Sequence, residues 1–288
     1  MRCKICGGDA EVYAFGMPLC REDFNRLFER RVEKVMKRYN TGGKIALALS
    51  GGKDSMVLLH YFAKKDYDFF GYFINLGIGE YSQRMEKIVR DAAKMYGVDL
   101  IITNLQEEYG FGISDIRRKP CSACGTVKRY LMNRVPRENG ASVVATGHNM
   151  DDFLDFFFKN TLSKNYMWNR NMVPYLPAEH PKLLPKIRPL YLLGDREIEI
   201  YARMNDVPYS PEKCPLAKFS GWKDIFYDIE TRKKNFRYQM ILSVWRMAEF
   251  FPKEERELQE CSVCGEPSSG EVCAFCKLRA RYGKDYKI

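Results

Sequence analysis

The sequence predicts an α/β protein: one doubly wound domain with a parallel sheet, and a small cysteine-built module at each end. Two observations carry this. Apolar strand-like runs alternate with helical segments from Lys44 to about Asn160, and paired cysteines cluster near both termini. Strands are expected near 45–50, 69–76, 99–104 and 142–147, and helices near 54–65, 80–96, 123–135 and 150–160. Within residues 21–39, Phe24, Leu27, Phe28, Val32, Val35 and Met36 recur at helical spacing, so a helix should join the front module to the core. Residues 161–192, rich in Asn, Pro and aromatics but without period, read as a long functional loop. Residues 195–204 and roughly 223–249 read as helical, and the expected divisions are 1–24, 25–253 and 254–288.

The turn Ser50-Gly51-Gly52-Lys53-Asp54-Ser55 follows the apolar run Lys44–Leu49 and opens a helix. Adjacent glycines let the backbone approach an anion, their N–H groups face it, and the helix N-terminus adds partial positive charge. Lys53 and the hydroxyls of Ser50 and Ser55 can complete a phosphate cradle. The turn lacks the spacing and the terminal Lys-Ser/Thr of a Walker loop, which disfavours γ-phosphate transfer.

At 288 residues the chain holds one good core plus appendages. Lys and Arg number 47 against 37 Asp and Glu, a net charge of +10, with basic runs at Arg30-Arg31, Lys37-Arg38, Arg117-Arg118-Lys119 and Arg232-Lys233-Lys234. This balance suits a polyanionic partner, although charge alone serves a solvated surface equally well. No apolar run reaches the ~20 residues needed to cross a bilayer, and the N-terminus has no signal-peptide core. A soluble, cytoplasmic protein with no membrane partner is expected.

Eight of the ten cysteines form C-x-x-C pairs, which in this context read as metal sites before disulfides. Cys261, Cys264, Cys273 and Cys276 have the spacing of a four-thiolate zinc ribbon or knuckle, a closed structural site. Cys3, Cys6 and Cys20 supply three ligands of a second zinc knuckle, and Asp23 stands where the fourth would fall. That leaves Cys121, Cys124 and Cys214. Three thiolates on a 4Fe-4S cluster leave one iron free for an external ligand. The residues equally admit a disulfide, a three-thiolate zinc or a persulfide relay. Lys128, four residues after Cys124, would share its helical face. Gly147-His148-Asn149-Met150-Asp151-Asp152 leaves the last strand and starts a helix, where a carboxylate could hold magnesium on ATP or move a proton. His60 and His180 read as packing and loop residues.

Together these residues resemble the TtcA/TtuA family of tRNA 2-thiolation enzymes, and among them the TtuA type with zinc modules at both ends. Ser50–Ser55 match that family's PP-loop, Cys121-Ser-Ala-Cys124-Gly-Thr-Val-Lys128-Arg129 its central cysteine motif, Cys214-Pro215 its third cluster cysteine, and Gly147–Asp152 its second nucleotide-facing motif. The resemblance implies a PP-loop ATP pyrophosphatase fold. ATP and magnesium would bind at Ser50, Gly51, Gly52, Lys53, Asp54, Ser55, Lys128, Gly147 and Asp152, and a 4Fe-4S cluster on Cys121, Cys124 and Cys214. It also implies tRNA as partner, sulfide or a thiocarboxylated ubiquitin-like carrier protein as sulfur donor, and a homodimer. Lys128 would stabilise negative charge and Asp152 would shuttle protons. The chain departs from the family at Asp23, where His is usual, and at Phe156, where some relatives carry a hydroxyl after an acid matched here by Asp155. Two other readings share the residues: a PP-loop adenylating enzyme with a different acceptor and no thiolation, and a catalytically silent zinc protein that binds RNA.

Overall fold

The computed structural model describes residues 1–39, 42–217, 220–253 and 257–283. The expected division between 253 and 254 touches residues outside that set. An N-terminal hairpin, β1 (Val12–Ala14) and β2 (Met17–Leu19), leads into α1 (Arg21–Arg38). The apolar stripe of α1 is buried at Phe24, Phe28, Val32, Val35 and Met36, and Phe28 stacks on Tyr201 with centroids 4.0 Å apart.

The alternating region then runs β3 (Ile45–Leu49), α2 (Lys53–Lys64), β4 (Phe69–Asn75), α3 (Gly79–Tyr96) and β5 (Leu100–Asn104). A short α4 (Leu105–Tyr109), then α5 (Pro120–Glu138), β6 (Val143–Ala145) and α6 (Met150–Leu162) follow. All four expected strands and all four helices of this stretch are present. The aperiodic stretch is not wholly a loop. It contains a 3-10 turn at Tyr166–Asn171 and two short strands, β7 (Tyr175–Leu176) and β8 (Lys186–Ile187), which extend the sheet. Two-residue strands carry no readable period; β8 forms because β6 offers it a paired edge.

The sheet order is β5-β4-β3-β6-β8-β7, parallel throughout except for the antiparallel edge strand β7. Strand side chains alternate between faces, so Ile45, Leu47 and Leu49 enter one core and Ala46 and Ala48 the other. The first core takes in α1, α2, α3 and α6, together with α7 (Asp195–Met204) and α9 (Phe236–Met247). The second holds α5 and the C-terminal module. The expected helical stretch near the C-terminus is two helices, α8 (Trp222–Arg232) and α9, separated where Asn235 adopts a left-handed φ of 62°. Last come β9 (Gln259–Glu260), β10 (Pro267–Ser268) and α10 (Ala274–Tyr282), whose Phe275 stacks on Tyr130 of α5 at 3.9 Å. Arg137 of α5 pairs with Glu266 at 2.5 Å, fixing the module to the same helix. Among the described residues, no helix is long and apolar enough to cross a membrane.

Candidate active site

Consecutive crossovers run from β3 outward to β5, and the chain then returns to the other side of β3 at β6. Parallel sheets bind ligands at the carboxyl ends of strands where the winding reverses, which here lies between β3 and β6. Both predicted turns sit there. Gly51 has φ +79°, a conformation that glycine adopts without strain. The turn is held by its own hydroxyls: Ser50 N–H donates to Ser55 Oγ at 3.1 Å, and Ser55 Oγ donates to Gly52 O at 3.1 Å. Gly147, from the β6 end, lies against it. A Cβ on Gly147 would stand 2.9 Å from Ser55 N and 3.1 Å from the Asp54 carbonyl carbon. Gly147→Ala should therefore push the two turns apart and cost about 1–3 kcal/mol, read as a lower urea midpoint with weaker ATP binding; an unchanged midpoint would contradict this packing.

A cavity of about 530 Å³ opens at this point. Of the predicted residues, Ser50, Asp54, Ser55, Cys124, Lys128, Gly147, Asp152 and Cys214 line it. Lys53 is held differently from a free phosphate ligand: its ammonium lies 2.7 Å from Asp54 and 2.6 Å from Asp195. Asp152 forms a capping box with Asn149, accepting its N–H at 3.1 Å, while its other oxygen meets Lys223 at 2.6 Å. Lys223 also reaches Asp195 at 2.8 Å, so two lysines and three carboxylates form one network beneath the turn.

Burial raises the Asp54 carboxyl to about 6; Lys53 opposes the rise while Asp195 and Asp152 add to it. Asp195, although burial pushes it up, is drawn down to about 2 by Lys53 and Lys223. For Asp54 the folded state binds more protons than the unfolded state between about pH 4 and 6, so its contribution to stability declines as pH rises through that window. With 29% of its side chain exposed, the ionised carboxylate should cost about 1–2 kcal/mol at pH 7. Asp54→Asn should thus be the more stable protein at pH 7, with the gain vanishing near pH 4; a gain independent of pH in denaturant titrations would contradict the assignment.

Cys121 and Cys124 occupy the first turns of α5, and Cys214 lies on the segment between α7 and α8. That segment is clipped to the phosphate turn: Ser210 N–H donates to Gly51 O at 2.9 Å, and Arg84 of α3 grips Glu212 at 2.7 and 3.0 Å. Cys121 is exposed and its thiol donates to Leu216 O at 3.1 Å, which ties α5 to the Cys214 segment. Burial raises the Cys124 thiol pKa, Lys128 opposes this, and Cys214 and Cys121 raise it further. Cys214 and Cys121 thus both lie near the Cys124 thiol. All ten cysteines are free.

At each end a four-ligand set is assembled. Cys261, Cys264, Cys273 and Cys276, and separately Cys3, Cys6, Cys20 and Asp23, each bring their ligand atoms within 4.8 Å of one another. Asp23 is only 2% exposed and lies 3.2 Å from Cys3 Sγ and 3.3 Å from Cys20 Sγ. Either set could hold a metal ion.

Sequence reasoning missed Asp195, Lys223, Lys186 and Arg188, because nothing local marks them: each reaches the site through pairing of distant elements. In the aromatic run Phe156–Phe158, Phe157 is buried and Phe158 packs against the core, but Phe156 is 38% exposed and lies 6.2 Å from the His148 ring. His60 contacts the Tyr96 and Tyr201 rings, and His180 accepts the Lys182 N–H in a loop.

A glycine turn between β3 and α2, facing a second turn from β6, defines a PP-loop protein, and residues 24–218 match the family model described as a PP-loop domain. Within that class the chain belongs to the TtcA/TtuA family of tRNA 2-thiolation enzymes. It is 36% identical to the tRNA-5-methyluridine(54) 2-sulfurtransferase of Pyrococcus horikoshii, over 96% of this chain and 93% of that protein. It is also 36% identical to the protein of the same name from Thermus thermophilus, over 96% of this chain and 91% of the other. The solved U34-tRNA thiolase NcsA from Methanococcus maripaludis, with its 4Fe-4S cluster, superposes with a TM-score of 0.85 at 26% identity, covering 100% of this chain and 98% of NcsA.

Proposed function

We propose that the chain is an ATP-dependent tRNA sulfurtransferase that adenylates a pyrimidine C2 carbonyl oxygen and replaces that oxygen with sulfur. The shared cavity carries this reading: the phosphate turn, Lys128, Asp152 and the thiols of Cys124 and Cys214 face one space. In the first step O2 of the bound base attacks the α-phosphorus of ATP, pyrophosphate leaves, and Asp152 takes the base's N3 proton. In the second a sulfur nucleophile attacks C2, the C2–O bond breaks, and AMP carries the oxygen away. Lys128 stabilises the charge that develops on the phosphoryl oxygens. Its position in the site before the substrate arrives makes that stabilisation effective. Lys53 and Lys223 hold Asp54, Asp195 and Asp152 in place beneath the turn.

Cys121, Cys124 and Cys214 would hold a 4Fe-4S cluster, which when bound supplies an iron without a protein ligand where a sulfur atom can rest. Asp54 offers magnesium the hard oxygen ligand it prefers. The terminal sets suit zinc. A tetrahedral ion with Zn–S bonds near 2.3 Å needs sulfurs about 3.8 Å apart, and Cys264–Cys273 and Cys6–Cys20 stand at 3.8 and 3.7 Å.

We further propose 5-methyluridine at position 54 as the acceptor, supported by the names of the two relatives at 36% identity. The sulfur donor is sulfide or a thiocarboxylated carrier protein, and the enzyme works as a cytoplasmic homodimer. Its parts are a front zinc knuckle to residue 24, a catalytic domain to 253 and a C-terminal zinc module. The test is nucleoside mass spectrometry of tRNA incubated with the iron-reconstituted protein, sulfide and ATP. A uridine heavier by the exchange of oxygen for sulfur, formed only with ATP, is expected; ATP cleavage without that nucleoside would move the chain to another acceptor.

A further inference from the structure

The cations lining the cavity and those beneath the adjoining turn form two separate groups. Lys53 and Lys223 are matched by Asp54, Asp152 and Asp195. Lys128, Arg129, Lys186 and Arg188 line the same cavity, and among the described residues none of these four is ion-paired to a carboxylate. Lys186 and Arg188 are two apart on and just after β8, so both leave the same face while Ile187 between them is buried. The Arg188 guanidinium donates to the Asn171 carbonyl at 2.8 Å and lies 4.8 Å over the Phe153 ring, which fixes its direction without neutralising it. Arg129 is exposed on α5 beside Lys128, where its guanidinium donates to Thr126 Oγ1 at 3.4 Å. Burial, together with Arg188 and Arg129, holds the Lys186 pKa below its ordinary value, so an anion placed among them would relieve both desolvation and repulsion.

The position of this group along the sheet identifies the anion. Phe73 and Ile74 of β4 bring apolar surface to one side of the cavity, the phosphate turn follows at β3, and Gly147 at β6. β8 lies beyond β6, on the side away from the apolar wall. ATP laid across β4 and β3 leaves the β8 side to the acceptor. Several fixed cations in a row suit a phosphodiester backbone, whereas one carboxylate at the end of a protein tail needs a single partner.

We propose that Arg129, Lys186 and Arg188 form an acceptor subsite that grips a backbone phosphate of the tRNA next to the target nucleotide. This rests on the sulfurtransferase reading and assigns residues which that reading leaves without a role. The phosphate contacts would set the register of the nucleotide while the base enters the cavity toward Cys124 and Cys214.

The test is binding of an unmodified tRNA transcript by fluorescence anisotropy across a salt series, with ATP binding measured separately. Lys186→Glu and Arg129→Glu should each weaken tRNA binding about tenfold or more. Lys186→Gln, which removes charge without reversing it, should lower the slope of log affinity against log salt by about one. ATP affinity should stay within about twofold in all three. Unchanged tRNA affinity and slope would overturn the subsite, even if use of a carrier-protein donor fell. An equal loss of ATP affinity would also overturn it by giving these cations to the nucleotide. Wild-type protein that cleaves ATP but binds no tRNA would instead overturn the sulfurtransferase reading itself.

Discussion

Arg237→Ala should cost the fold about 3–5 kcal/mol, the range measured when one partner of a buried ion pair is removed. The Arg237 guanidinium lies 3.0 Å from both oxygens of Asp151, a residue with no exposed surface, and is itself only 6% exposed. Asp151 also accepts Tyr227 OH at 3.0 Å and Asp195 N–H at 2.8 Å. These two bonds would remain in the variant, facing a carboxylate with no cation. The pair joins α9 to the N-termini of α6 and α7, so its loss should also loosen Asp152 and Asp195 beneath the phosphate turn. Denaturant unfolding with ATP binding on the same preparation checks this. A change under about 1 kcal/mol would mean that Asp151 is neutral or hydrated in the folded protein.

Cys214→Ala should remove the iron and acid-labile sulfide from anaerobically reconstituted protein while leaving zinc at both ends. Thiolation should fall by more than about two orders of magnitude, since partners one layer further out already cost metal sites about 10–100-fold. The reason is geometric. Cys214 sits on a segment tied to the phosphate turn through Ser210, to α3 through Arg84, and to α5 through Cys121 and Leu216. Removing its thiol should leave that scaffold and the ATP site standing, so AMP release should fall much less than sulfur transfer. Loss of zinc with the iron retained would mean that the cysteines are divided differently.

The regular core of this fold was legible because its strands and helices carry strong periodicity between clear breakers. Ile45–Leu49 runs into Ser50-Gly51-Gly52, and β6 is followed two residues on by Gly147, so both turns at the point where the winding reverses could be placed from sequence. The two terminal ligand sets, either of which could hold a metal ion, were legible from C-x-x-C spacing, with Asp23 standing at the fourth position of the first. What escaped depends on pairing across long separations. β7 and β8 exist only as partners of β6 and of each other, and with them came Lys186 and Arg188. Asp195 and Lys223 look like ordinary surface charges on amphipathic helices; α7 and α8 bring them onto Lys53 and Asp152. Phe156 escaped for a different reason. A run of three aromatics reads as a buried face, yet consecutive helical residues are about 100° apart and cannot all point inward.

The most direct measurement of the central claim is the ratio of 2-thiolated nucleoside formed to AMP released in one anaerobic reaction, with wild-type and Cys214→Ala proteins compared at known iron content. If adenylation and sulfur transfer share the cavity between the Ser50–Ser55 turn and the three thiols, wild-type protein gives about one AMP per sulfur inserted, and the variant, without iron, gives AMP with almost no sulfur. Sulfur insertion that persists in the iron-free variant, or that proceeds without AMP release, would contradict the account.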